Sequence, residues 1–248
     1  MTARRAANFL PLLAALITGA CASHPAPSAP QPAPAAPAAR KDIRWFRASA
    51  EYRGIALETY RNAGDHLAEN ARGLANGSWA VILDADETTL DNSLHERELA
   101  DRNETYTEAG WAGWVRRRAA TAIPGAVEFT RKVHAMGGRV AIVTNRADSL
   151  CAQTRENLRT VGVEADMVLC KTTESSDKNP RFAMVQGGTA APGVGALKVV
   201  EWIGDNIQDF PGLTQAVRGA ADGYADFGVR FFLLPNPMYG SWEKNPEP

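Results

Sequence analysis

Five short, largely apolar runs separated by helix-like stretches constrain the fold of this chain more than any other feature. The first, Trp79-Ala80-Val81-Ile82-Leu83, is apolar at every position, the pattern of a strand buried on both faces. Similar runs follow at Arg139–Val143, Asp166–Leu169, Val199–Ile203 and Val229–Leu234, with helix-like stretches at Pro124–Met136, Asp148–Thr160 and from Asn179. This alternation predicts an α/β fold, a parallel sheet with helices on both faces. Ahead of the sheet, Trp45, Tyr52, Ile55, Ala56, Tyr60, Ala63 and Leu67 recur at helical spacing. They predict one N-terminal helix over Trp45–Leu67 with an apolar face.

Ligands of such sheets collect at the carboxyl ends of the strands, so the polar residues just after each run carry the information. Asp84-Ala85-Asp86-Glu87-Thr88-Thr89-Leu90-Asp91-Asn92 follows the first run, Thr144-Asn145-Arg146 the second, and Gly204-Asp205-Asn206-Ile207-Gln208-Asp209-Phe210 the fourth. Asp84 and Asp86 alone could merely cap a turn. Together, these segments bring up to four carboxylates to one sheet edge, where mutual repulsion is costly without a hard divalent cation.

The first forty residues have a different character. Arg4 and Arg5 precede an apolar stretch from Phe9 to Ala20, too short to span a membrane and shaped like a secretory signal. Its ending, Ile17-Thr18-Gly19-Ala20-Cys21, resembles a bacterial lipobox with Cys21 as the lipidated residue; an ordinary cleaved signal with an incidental Cys21 is the other reading. Six of the fifteen prolines lie between Pro25 and Pro37, so the segment to Arg40 reads as an extended spacer. The expected organisation is a signal peptide at 1–20, a lipidated cysteine and Pro/Ala-rich linker at 21–40, and one domain at 41–248. With 27 basic against 28 acidic side chains, the chain lacks the positive field that draws proteins to nucleic acid.

Asp-x-Asp-x-Thr, Thr-Asn, a lysine before a later helix and Gly-Asp-Asn-x-x-Asp resemble the haloacid dehalogenase (HAD) superfamily of phosphohydrolases. With the lipobox, Asp-Glu-Thr-x-Leu-Asp-Asn and Leu-Pro-Asn-x-x-Tyr-Gly-x-Trp-Glu, the chain is similar to the class C bacterial acid phosphatases, the lipoprotein 5′-nucleotidases. The resemblance implies a Rossmann-like HAD sheet, an N-terminal helix and a small, mainly helical cap at about residues 94–123. It implies Asp84 as nucleophile and Asp86 as general acid and base. Thr144 and Asn145 would contact the phosphoryl group, and one Mg²⁺ per chain would sit among Asp84, Asp86 (through its main-chain carbonyl), Asp205 and Asp209. Lys178 is the preferred phosphate-steadying lysine, with Lys171 as the alternative. Trp111 and Tyr239 would stack on the substrate, and Trp114 would pack within the cap.

The implied activity is Mg²⁺-dependent hydrolysis of 5′-nucleotides and other phosphomonoesters at acidic pH through an aspartyl-phosphate. A sugar-phosphate phosphatase and a catalytically silent binding lipoprotein are the alternatives. Expected partners are a small phosphomonoester and the membrane through Cys21, with a homodimer left open, no nucleic-acid polymer, and an outer-membrane location with the domain in the periplasm or at the cell surface. Two departures from the family pattern are Ala85, in place of a bulky aliphatic residue, and His95, in place of a tyrosine. His95 reads as a surface histidine. Cys151 and Cys170 fit either a disulfide or two buried thiols.

Overall fold

The computed structural model describes residues 40–220 and 222–246. In chain order its elements are α1 (Lys41–Ala48), α2 (Ala50–Asn70), β1 (Trp79–Leu83), β2 (Leu90–Asp91), α3 (Ser93–Asp101), α4 (Glu108–Arg117), β3 (Thr121–Ala122), α5 (Ala126–Ala135), β4 (Arg139–Ala147), α6 (Cys151–Thr160), β5 (Met167–Lys171), α7 (Asn179–Gly187), β6 (Lys198–Gly204) and β7 (Phe231–Leu233). The expected signal segment 1–20, the expected lipidation site Cys21 and the expected spacer up to residue 39 lie outside the described residues. Among the described residues no helix is long and apolar enough to cross a membrane.

The central sheet is parallel, in the order β5-β4-β1-β6-β7. Strand order reverses about β1, so the carboxyl ends of β1, β4 and β6 frame the crevice where such sheets bind ligands. One face of the sheet, with Val81, Leu83, Val140 and Ile142, packs against Tyr60, Leu67, Phe129 and Val133 of α2 and α5 and Leu158 of α6. The other, with Ala80, Ile82, Ala141 and Val143, packs against Phe182 and Val185 of α7 and against Phe210. β2 and β3 form a separate antiparallel ribbon pairing Leu90 with Ala122. That ribbon closes the base of the α3–α4 excursion, so the expected helical cap is present.

The structure corrects the sequence reading of these helices and strands in three places and decides the state of the two cysteines. The single N-terminal helix is two, because Ser49 adopts an extended conformation (ψ 142°) and its hydroxyl accepts the Tyr52 N–H at 3.0 Å, starting α2 anew. Ile55 faces solvent rather than the core. β4 runs on to Ala147, with a register shift between Val143 and Ala147, so Thr144, Asn145 and Arg146 belong to the irregular end of the strand rather than to a loop after it. The cysteines form a disulfide, Cys151–Cys170, fastening the start of α6 to β5. Closing a loop of this length contributes about 3 kcal/mol on the chain-entropy view.

Glu201 is the one carboxylate of β6, set among Val199, Val200, Trp202 and Ile203. Its side chain is fully buried; Asn70 Nδ2 donates to Oε1 at 2.9 Å, and Oε2 has no partner among the described residues. Burial pushes this carboxyl up to about 8, against the opposing hydrogen bond from Asn70. An unfolded glutamate titrates near about 4.3, so between these values the folded chain holds a proton that the unfolded chain has released. Stability on this account is full at acidic pH and declines as pH rises towards 8. Glu201→Gln keeps the Asn70 bond and removes the titration. Thermal unfolding across pH is expected to show the variant level with wild type near pH 4.5 and more stable at neutral pH, by on the order of 3 kcal/mol.

Candidate active site

Asp84 follows β1 directly, and its N–H bonds the Ile203 carbonyl of β6 at 3.0 Å, fixing the backbone to the neighbouring strand. The loop that follows turns sharply. Glu87 takes a left-handed conformation (φ 53°), which costs a non-glycine residue about 1 kcal/mol. The surroundings hold it there: the Glu87 carboxylate accepts the Asn92 N–H at 2.7 Å, the Thr89 hydroxyl donates to the Asp84 carbonyl at 2.5 Å, and the Tyr60 hydroxyl donates to the Thr88 carbonyl at 2.6 Å. Burial, then the nearby Asp86, pushes the Glu87 carboxyl upward.

Three carboxylates converge at this edge. Asp84, Asp205 and Asp209 each present an oxygen within 4.8 Å of the others. Asp205 accepts from Thr88 Oγ1 at 3.1 Å and from Asn236 Nδ2 at 2.9 Å. Asp209 accepts the Asn206 N–H at 2.9 Å and packs so tightly on Gly204 that a Cβ there would lie 2.3 Å from its own. Only glycine fits at that strand end. The Lys178 ammonium, 4% exposed, donates to Asp84 Oδ1 and, at 2.6 Å, to Asp209 Oδ1. Burial alone would lower the Lys178 pKa, but Asp209 and Asp84 outweigh it and raise the value. Burial and like-charge neighbours push Asp84 and Asp205 upward, Lys178 only partly offsetting them. An all-oxygen, anionic and desolvated donor set of this kind fits a hard divalent cation, which would reverse those shifts.

Asp86 stands apart from the group. Its Oδ1 receives Arg146 Nε at 2.9 Å, Arg146 Nη2 at 2.7 Å and Asn92 Nδ2 at 2.8 Å. The cluster is therefore of three carboxylates rather than the four expected, because a buried guanidinium draws the fourth aside. Of its side chain only Oδ2 is left without a hydrogen bond among the described residues, so the expected contact with the cation would come from the Asp86 main-chain carbonyl.

Lys178, rather than Lys171, reaches Asp84; Lys171 ends the edge strand β5. Thr144 is fully buried, and its hydroxyl accepts the Arg146 N–H at 3.1 Å. Asn145 is exposed at the cavity floor, its Oδ1 accepting Arg181 Nη2 at 2.6 Å. The cavity holds about 830 Å³, with Asp84, Asp86, Lys178 and Asp205 below and Tyr106, Trp111 and Tyr239 among its walls. Trp114 is buried, as expected of a packing residue, and its Nε1 donates to Asn92 Oδ1 at 2.8 Å. His95 is not a surface residue. It is 4% exposed, with ring centroids 5.6 Å from both Trp111 and Trp114, and burial pulls its pKa down.

Arg146, Asn92, Asn236 and Arg181 have structural parts here that sequence reasoning did not assign. Arg146 and Asn92 lay inside the motifs singled out. Asn236 had only the Leu-Pro-Asn segment to mark it.

A family model described as HAD superfamily, subfamily IIIB (acid phosphatase), matches residues 13–242. The chain is 26% identical over 166 residues to acid phosphatase 1 of Solanum lycopersicum, a match covering 64% of this chain and 57% of that protein, less than two thirds of its length. Among solved structures, the class C acid phosphatase from Bacillus anthracis superimposes with a TM-score of 0.72 at 27% identity, covering 82% of this chain and 85% of that one. The same enzyme with tungstate bound gives a TM-score of 0.69 at the same identity and coverage. The sheet order, the aspartates at its carboxyl edge and a family match spanning nearly the whole sequence agree, and this chain belongs to the subfamily IIIB acid phosphatases of the HAD superfamily.

Proposed function

We propose that this chain is an Mg²⁺-dependent phosphomonoesterase that prefers nucleoside 5′-monophosphates and works through an aspartyl-phosphate. The observation that carries the reading is the single cavity in which a buried Asp84, paired with Lys178, lies beneath an aromatic wall. Its relative from Bacillus anthracis takes tungstate, a tetrahedral oxyanion of the shape this site would receive. On this reading the Asp84 carboxylate attacks phosphorus and forms a new P–O bond as the ester P–O bond breaks. A proton on Asp86 passes to the leaving oxygen and releases the alcohol. Water then attacks phosphorus, gives its proton to Asp86 and frees Asp84 and inorganic phosphate. Lys178 holds Asp84 and steadies the phosphoryl oxygens, with Asn145 as a further contact and Thr144 shaping the strand end. Mg²⁺ bound among Asp84, Asp205 and Asp209 would neutralise the charge between carboxylate and phosphate.

Trp111 and Tyr239 would stack on the base, which favours aromatic leaving groups without selecting among them. We also infer that the chain is a lipoprotein anchored at Cys21 in the outer membrane, with its domain in the periplasm or at the cell surface.

AMP and p-nitrophenyl phosphate are expected to be hydrolysed at acidic pH with Mg²⁺, and EDTA to abolish the reaction. Asp84→Asn should lower kcat by about three orders of magnitude or more; activity persisting in that variant rejects the mechanism. Mg²⁺ should raise the unfolding temperature of the wild type and not of Asp205→Asn, since only a protein that binds the ion gains stability from it. Trp111→Ala should weaken kcat/KM for AMP by about tenfold or more while sparing glucose 6-phosphate. A wild-type preference for glucose 6-phosphate over AMP would move the assignment to sugar phosphates.

A further inference from the structure

We propose that Arg146 is a positioning residue that selects which oxygen of Asp86 carries the transferred proton. The inference rests on the reading of Asp86 as general acid and base. Its observation is the unequal treatment of the two carboxylate oxygens. Oδ1 receives three N–H donors, two from Arg146 and one from Asn92. Oδ2 receives none among the described residues. An oxygen already accepting three hydrogen bonds has no lone pair left for a proton, so proton transfer falls to Oδ2.

Arg146 is suited to hold this asymmetry. Its side chain is 1% exposed, and the guanidinium is fixed by further contacts. Nη2 donates to Asn92 Oδ1 at 3.0 Å, Nη1 lies 3.5 Å from Thr154 Oγ1, and the group sits over the Trp111 ring, 5.4 Å from its centroid. The planar fork that grips one oxygen twice is a property of arginine that lysine lacks. Removing it frees Asp86 to rotate, and the proton then no longer lies in a fixed position against the leaving oxygen. Arg146 also lines the cavity floor. Direct binding of the phosphoryl group is therefore the competing role, and the two roles differ in their dependence on the leaving group.

The test is kcat/KM for the intact, Mg²⁺-loaded protein across phosphomonoesters of graded leaving-group basicity, from 2,4-dinitrophenyl phosphate to AMP. A good leaving group departs without a proton, whereas an alkoxide needs one. Asp86→Asn is measured first and should steepen the dependence. If it does not, Asp86 is not the acid and the inference falls with that reading. If it does, Arg146→Gln should steepen the dependence in the same sense, with a loss for AMP about tenfold greater than for 2,4-dinitrophenyl phosphate. Arg146→Lys, which keeps the charge but not the fork, should recover part of that difference. The ratio between substrates is unaffected by the fraction of protein that has folded. A uniform loss across the series in both Arg146 variants, with Asp86→Asn steepened, assigns Arg146 to phosphoryl binding or to packing and overturns the proposal.

Discussion

The bridge from the Lys178 ammonium to Asp84 and Asp209 makes the carboxyl edge of this sheet tenable. Carboxylates gathered away from water repel one another and resist ionisation. Three of them with one ammonium carry a net charge of −2 when all are ionised, which is the charge a divalent cation neutralises. The lysine thus removes the excess that the cation cannot. Its position depends on α7, whose first turn carries Pro180 and the Lys178 backbone at its start. Arg181, one turn along, donates to the Thr144 carbonyl and to Asn145. The same short segment therefore holds the ends of β1, β4 and the Asp205–Asp209 turn together.

Asp84 and Asp86 are chemically identical and two residues apart, yet their surroundings separate them completely. Asp84 faces an ammonium and two further carboxylates in a buried setting, while Asp86 faces a guanidinium and an amide. The left-handed turn at Glu87 follows directly and brings the chain back to Leu90. Two neighbouring carboxyls placed in unlike environments can take unlike roles in one reaction. Strand geometry alone would give them a common face; the divergence comes from the turn and from Arg146.

Much of this was legible in the sequence, for a physical reason. A strand buried on both faces must be apolar throughout, so Trp79–Leu83 marks its own end and thereby Asp84. Lys178 is preferred over Lys171 on the family resemblance, through the Lys-x-x-Arg-Phe pattern of Lys178, Arg181 and Phe182 at a helix start. What could not be read was pairing across distance. Nothing local says that Arg146 grips a residue 60 positions earlier, or that Asn236 holds Asp205. The burial of His95 is equally non-local, since it depends on two tryptophans of another helix closing over it. Glu201 lies in the fourth apolar run and in β6, and the partner of its carboxylate, Asn70, is on a helix 131 positions away.

Asn92 joins the two halves of the site. Its side chain donates to Asp86 and accepts both from Arg146 and from the Trp114 indole, and its backbone N–H is held by Glu87. It lies between the ribbon strand β2 and the first cap helix, where the cap leaves the sheet. Any displacement of the α3–α4 cap relative to the sheet must strain these bonds, and those to Glu87, Arg146 and Trp114 are buried, where a polar group left without a partner costs about 1–3 kcal/mol. The base of the cap is accordingly rigid. Tolerance for change is found further out, at the exposed Tyr106, which touches the cavity but none of these groups. Such a division lets the shape of the leaving-group pocket vary while the groups around Asp86 stay fixed.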